Sequence, residues 1–309
     1  MSANRSATDL LTELHYALAE ADAQTPAGGL RDRVLDAATD GRAPGFTTDP
    51  VDRVTGATAF RRMGDRLAAL LGELDEDEWT RPTVRDLDVS GLVGHLIAVE
   101  RDFAAMLEGD ASVGDADHVD ATQATALAQA GRSPSDTRDD WTTTFAHTLS
   151  LLDARADAAR DVRFHGIALP LDELLVARAF ELWTHDEDVR RATGRAVADP
   201  EPGTLTRMTG LATGLLPLGV ALAGSDAPDV TARLVLTGAG GGTWDVALRG
   251  DASRARPRVA FASRVVVDAA AFCRVAANRS DLTRSGAVVT DDVRVAEWLF
   301  AGAARLALD

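Results

Sequence analysis

Three residues in this sequence have the types and spacing that metal chemistry uses. Glu181 and His185 stand four apart in the stretch FELWTHDED, inside a helical pattern. On a helix, residues i and i+4 lie one above the other, so these two side chains can point at one ion. Arg178 and Leu174 continue the same stripe upstream. His95 sits in SGLVGHLIAVE, three after Leu92 and four before Val99, on a face that is otherwise apolar. If the two helices meet in a bundle core, they supply two imidazoles and one carboxylate. Three protein ligands leave a coordination position open, which is how catalytic rather than structural zinc is held. The plainer alternatives are a solvated Glu/His pair and a hydrogen-bonded core histidine, and spacing alone leaves all of these open.

Other candidates carry less. His118 lies in the acidic stretch GDADHVD and reads as part of a solvated loop. His147 belongs to a helical pattern and could face core or solvent. His15 falls in an N-terminal extension. His165, in RFHGIALPL, reads as a turn residue or a pocket wall. The run GAGGGT at 238–243 has no lysine and no helix pattern after it, so it fails as a phosphate loop and reads as a hairpin turn. Cys273 is the one cysteine, which excludes an internal disulfide and a cysteine zinc cluster; its apolar surroundings suggest a buried, inert thiol. No Gly-x-Ser-x-Gly nucleophile elbow occurs.

The elements that must position these residues are amphipathic helices. One pattern starts at Asp49, with Pro50 in the first helical position, and carries Phe60, Met63, Leu67, Leu70 and Leu74 at a period of about 3.6. A second opens at Ser90, a third at Ser133-Pro134, and a fourth runs from about Pro170 to Thr193, with Arg190 and Arg191 at its negative end. Four such helices predict a four-helix bundle, and the long, acidic, alanine-rich stretch 109–132 reads as a crossover loop. After Pro200 the texture changes. A helix is expected over 203–224, then strands in TARLVLT and TWDVALRG, a third strand in RPRVAFAS, and two helices in VVDAAAFCRVAAN and DDVRVAEWLFAGAARLAL. The expected fold class is α+β. Its parts are an N-terminal helical extension at 1–48, a bundle at 49–200 and a smaller α/β domain at 201–309.

Composition narrows the partners. The net charge is −16, and all 32 basic residues are arginine. A surface that acidic repels phosphate backbones and anionic lipid, so neither nucleic acid nor membrane is expected as a partner. The N-terminal residues lack the apolar run of a signal peptide, and the apolar stretch 208–225 holds Pro217 and several glycines, so a buried, kinked helix and a cytoplasmic protein are expected. A monomer or weak dimer is expected.

The runs WTRPTVRDLDVSGLVGHLIAVE and RFHGIALPLDELLVARAFELWTHDEDVRRATGR together resemble the mycothiol-dependent maleylpyruvate isomerase family, part of the DinB-like superfamily of metal-binding bundles. The matching features are Trp79 shortly before a proline, the histidine closing DVSGLVGHL, and Glu-x-x-x-His-x-x-Asp with a glycine beyond it. The likeness extends over about 53–309, because LVLTGAGGGTWDVAL and the helices after it resemble the family's C-terminal domain. It implies His95, Glu181 and His185 as metal ligands, with Zn²⁺ the expected ion and mycothiol the co-substrate. Asp188 matches the family's aspartate and would orient a ligand. Arg178 and Arg279 would supply the cations that hold a substrate's carboxylates and a developing enolate. The implied activity is isomerisation or S-transfer on a small electrophilic substrate of enoyl or keto-acid type. A zinc-dependent hydrolase or tailoring enzyme on the same scaffold, and a non-enzymatic metal-binding module, are the alternatives. Leu87 stands near the place where the family usually carries a tryptophan, so the loop entering the His95 helix is a point of departure.

Overall fold

The computed structural model describes residues 33, 34, 37, 52–114, 117–129, 131–154, 160–224, 226–249 and 261–307. The chain divides into two compact units, Met1–Arg42 and Ala43–Asp309. In the first, the described residues Arg33, Val34 and Ala37 are helical. Most of the expected extension, including His15, lies outside the described residues.

In the second unit, four long helices form the bundle: α1 (Gly56–Gly72), α2 (Val89–Glu108), α4 (Pro134–Asp153) and α5 (Leu171–Ala192). Helix α1 packs along α5, and α2 along α4. Phe60, Leu67, Leu96, Phe103, Trp141 and Leu182 fill the space between them, each fully shielded from solvent. Ser133 caps α4 as expected, accepting from the Asp136 N–H at 3.1 Å, whereas α2 is capped by Asp88, two residues ahead of the expected start at Ser90, which accepts from the Gly91 N–H at 2.7 Å.

Two expectations change here. Asp49 and Pro50 lie outside the described residues, and residues 52–55 are not helical. Helix α1 starts at Gly56 instead, because Thr55 caps it through the Thr58 N–H while the Gly56 N–H donates to Asp172 Oδ1 at 2.7 Å. A Cβ at Gly56 would run into the Asp172 carbonyl, so only glycine lets α1 sit this close to α5. The stretch 109–132 is not a plain loop either. It holds a 3₁₀ turn (Ala111–Gly114) and helix α3 (His118–Gln129), whose His118, Thr122, Ala126 and Gln129 are buried along one stripe against α2. At Gly94 of α2 a Cβ would stand 2.7 Å from Gln129 Cγ and 3.0 Å from Ala126 Cα.

A short hairpin, β1 (Asp161–Phe164) and β2 (Ile167–Pro170), leads into α5. Helix α6 (Pro202–Ala223) then enters a smaller α/β part. Its sheet has the order β4-β3-β5-β6, with β3 (Thr231–Thr237), β4 (Gly242–Ala247), β5 (Ser263–Asp268) and β6 (Val288–Asp291). Strands β3 and β5 are parallel and the other pairs antiparallel. The GAGGGT run turns the β3–β4 hairpin, as expected. A strand lies at Ser263–Asp268, starting at the last residue of the expected RPRVAFAS, most of which is outside the described residues. Helices α7 (Ala269–Ala276) and α8 (Val293–Ala304) pack with α6 on the sheet. Among the described residues, α6 is the one helix long and apolar enough to cross a membrane; it buries Leu205, Met208, Leu216 and Val220 inside the protein. The fold is α+β, a four-helix bundle followed by the smaller α/β part.

Candidate metal centre and pocket

Helices α2 and α5 bring the three chemistry-bearing residues together. His95, Glu181 and His185 each offer a donor atom, and these lie within 4.8 Å of one another. The His95 and His185 rings meet edge-to-face, with centroids 5.5 Å apart. Both imidazoles are 1% exposed, so water cannot satisfy their nitrogens.

Proton placement follows from the partners. Asp188, one turn after His185, faces its Nδ1 at 3.1 Å. The carboxylate can only accept, so His185 carries its proton on Nδ1 and presents a bare Nε2. His95 Nδ1 lies 2.8 Å from the Thr122 hydroxyl, which itself reaches the His118 carbonyl at 2.9 Å. The hydroxyl gives its one hydrogen to that carbonyl and accepts from His95, which leaves His95 Nε2 bare as well. This Nε2 stands 3.3 Å from Glu181 Oε1, and neither buried atom has a hydrogen-bond partner. Two acceptor atoms facing each other in a dry site repel unless a cation lies between them. Imidazole and carboxylate together form a donor set that suits zinc or another borderline divalent ion.

The electrostatics are tuned around this cluster. Burial pushes His95 down to about 4, against the pull of Glu181. Burial would raise Glu181, but the Arg178 guanidinium more than reverses it and holds the carboxyl well below its ordinary range. Arg178 is itself buried between two carboxylates: it pairs with Glu181 Oε2 and, through Nη2, with Glu100 Oε1 at 2.6 Å. Burial pushes Glu100 up, only partly offset by Arg178. For Asp188, burial acts upward, but the His185 ring N–H and the Arg279 guanidinium hold it at about 2.

Arg279, from the turn after α7, grips Asp188 with Nε at 3.0 Å and Nη2 at 2.9 Å. Both arginines singled out in the sequence are therefore engaged with internal carboxylates. Arg178 acts on Glu181 directly, whereas Arg279 reaches His185 only through Asp188.

Two histidines matter more here than their sequence context suggested. His118, at the first turn of α3, is buried, and its Nε2 lies 3.5 Å from Glu181 Oε1. His165, in the β1–β2 turn, has φ +45° and places Nδ1 2.8 Å from His118 Nδ1 and Nε2 3.0 Å from Asp102 Oδ2. The turn is pinned to the 3₁₀ segment by His165 N–H to Val113 O at 3.2 Å and Gly166 N–H to Gly114 O at 2.7 Å. An acidic, alanine-rich context hid the burial of His118. Its one sequence signal is Thr122 four residues on, which sets two polar groups on the same face. His147, by contrast, is exposed beside Glu108 at 3.2 Å.

A pocket with a cavity volume of about 130 Å³ opens beside the cluster. Its polar wall is His118, Arg178, Glu181, Thr184 and His185, and the rest is largely aliphatic, drawn from α5, the β1–β2 hairpin, α6 and the ends of α7 and α8.

Residues 60–190 match the family model described as the mycothiol maleylpyruvate isomerase N-terminal domain. No curated protein matches the chain. Two solved structures resemble it at 15% identity: a crystal structure of the mycothiol-dependent maleylpyruvate isomerase, at TM-score 0.56 over 76% of this chain and 91% of that one, and a histidine-to-alanine mutant of that enzyme, at TM-score 0.54 over 73% and 88%. At that identity the likeness establishes a shared fold.

Proposed function

We propose, for a chain whose residues 60–190 belong to the mycothiol maleylpyruvate isomerase N-terminal domain family, that it is a metal- and thiol-dependent enzyme acting on a small electrophilic enoyl or keto acid. The observation that carries this reading is the pair of bare, unpartnered acceptors, His95 Nε2 and Glu181 Oε1, beside His185 at the mouth of an apolar pocket.

His95, Glu181 and His185 would hold the ion. A divalent cation such as zinc, when bound, supplies a Lewis-acid position that lowers the pKa of a thiol. The remaining work falls to the chain. Asp188 and Thr122 fix the two imidazoles so that both bare nitrogens face inward. Arg178 balances the charge of Glu181 and keeps it ionised. The aliphatic pocket wall excludes water from an enolate, and Thr184 lines the polar end with its hydroxyl donating to the Phe180 carbonyl at 2.9 Å. In the chemistry this supports, a mycothiol thiolate adds to an activated double bond and forms a C–S bond, while the π pair moves onto the conjugated carbonyl. Rotation about the resulting single bond follows. Return of the electron pair then expels the thiolate and leaves the trans alkene. We assign Arg178 and Arg279 positioning roles, since each is neutralised by a buried carboxylate. A thiol co-substrate and a single buried cysteine both suit a reducing cytoplasm.

The test is turnover by the purified, metal-assayed protein. The expected result is about one divalent cation per chain, and isomerisation of a cis-enoyl keto acid such as maleylpyruvate only when mycothiol is added. Metal-dependent turnover indifferent to thiol would favour a hydrolase or tailoring enzyme. A protein that binds no divalent cation would sink the reading.

A further inference from the structure

Asp102, His165 and His118 form a chain of contacts ending at Glu181. Asp102 Oδ2 can only accept, so His165 carries its proton on Nε2 and leaves Nδ1 as an acceptor. His118 Nδ1, 2.8 Å away, must then donate to it, which leaves His118 Nε2 bare. That lone pair lies 3.5 Å from Glu181 Oε1, the oxygen that His95 Nε2 faces at 3.3 Å. In the opposite placement, with His165 doubly protonated, His118 Nε2–H would face Glu181 Oε1 across 3.5 Å, a contact that falls outside good hydrogen-bond geometry. Three acceptor atoms therefore crowd together with no hydrogen among them. Such a cluster is repulsive unless positive charge enters it.

We propose that His118 is a third imidazole donor to the cation site, with His165 and Asp102 fixing its tautomer. This rests on the metal-centre reading above. His118 is the outer member of the set, since it lies beyond the three residues whose donor atoms fall within 4.8 Å of one another. Its ring meets that of His95 edge-to-face, with centroids 5.1 Å apart. It is also the one member placed by the crossover helix. Each of the three imidazoles would then present Nε2 inward and hold a proton on Nδ1 against a different acceptor: Thr122 for His95, Asp188 for His185 and His165 for His118. A ligating histidine donating its second N–H to a neighbour is the arrangement that sets ring orientation and raises basicity. The positive φ of His165 (+45°) and Gly166 (+77°) is what a two-residue hairpin turn requires, and this turn sets the His165 ring against His118.

The cobalt-substituted full-length protein tests this without any enzymatic assay. A paramagnetic Co²⁺ shifts the Nδ1–H proton of each bound imidazole far downfield in the proton NMR spectrum, and these signals vanish on exchange into heavy water. Three exchangeable signals are expected in the parent protein and two in His118→Gln, with Co²⁺ affinity reduced by at least about tenfold in the variant. Two signals in the parent would overturn the role of His118 while leaving the site of His95, Glu181 and His185 standing. No Co²⁺ binding by the parent would overturn the metal reading itself. Because the parent spectrum alone decides, a variant that fails to fold leaves the test intact.

Discussion

His185 sits between a carboxylate that orients it and an ion site that would use it. Replacing it with alanine removes one donor and leaves Asp188 to Arg279 and Arg191, so metal stoichiometry in His185→Ala should fall well below that of the parent when measured by mass spectrometry of the inorganic content. Full occupancy would count against the assignment. Arg178 poses a different test. It is buried between Glu100 and Glu181, and removing one partner of a buried ion cluster costs roughly 3–5 kcal/mol because charge is left unpaired. Arg178→Met should therefore lower the urea midpoint by that equivalent, and a midpoint within experimental error of the parent would refute the role given to the arginine. The pH behaviour of the metal-free protein also follows from single residues. His95 takes up its proton near 6.5 in an unfolded chain but only at about 4 when folded. As pH falls below 6.5 the unfolded state gains protons first, so stability is lost from there down to about 4, by about 3 kcal/mol in total. Asp188, ordinarily near 3.8 and here at about 2, is likewise depressed and adds a further loss across that lower interval. Denaturation in the presence of a chelator at pH 7.5 and pH 5 would show the first of these; equal stability at both would contradict it.

At the scale of elements, helix faces were readable and crossovers were not. The Phe60–Leu67–Leu70 stripe, the Ser133-Pro134 start and the apolar run TARLVLT each carry a strong local signal, and each formed as the expected helix or strand. Helix α3 hid because alanine is at home in a solvated helix, a buried helix or a linker, and because the acidic residues before it signal water. The β1–β2 hairpin hid because each strand has four residues and takes its order from the turn pinned at Gly114. Asp49-Pro50 is a strong local start signal, yet the contact of Gly56 with Asp172, a long-range event invisible in local pattern, determined where α1 begins. The candidate metal ligands were legible as types and spacing, but the meeting of α2 with α5 was not. Gly94 makes the point testable. A methyl there would stand 2.7 Å from Gln129 Cγ, so Gly94→Ala should push α3 off α2 at a cost of about 1–3 kcal/mol. It should also loosen the Thr122 contact to His95 and weaken Co²⁺ binding, and an unchanged melting curve and affinity would show that α3 is not held there.

The molecule as a whole is joined by arginines from the α/β part that reach acidic residues of the bundle. Arg274 holds Glu187 with Nη2 at 2.6 Å, and Arg279 holds Asp188. The Arg274→Ala, Arg279→Ala double variant should unfold in two calorimetric steps where the parent unfolds in one, and a single step in both would show that apolar packing alone unites the halves. The pocket straddles the same join. Its polar end belongs to α5 and α3, while its far wall includes Ala212, Ala276, Ala277 and Ala307. Alanine is the smallest side chain that still gives a wall, so the far side is set back by several methylenes from where valine or leucine would stand. These positions leave room in the pocket, and lengthening any one of the four stubs would shorten the longest ligand it admits without altering His95, Glu181 or His185.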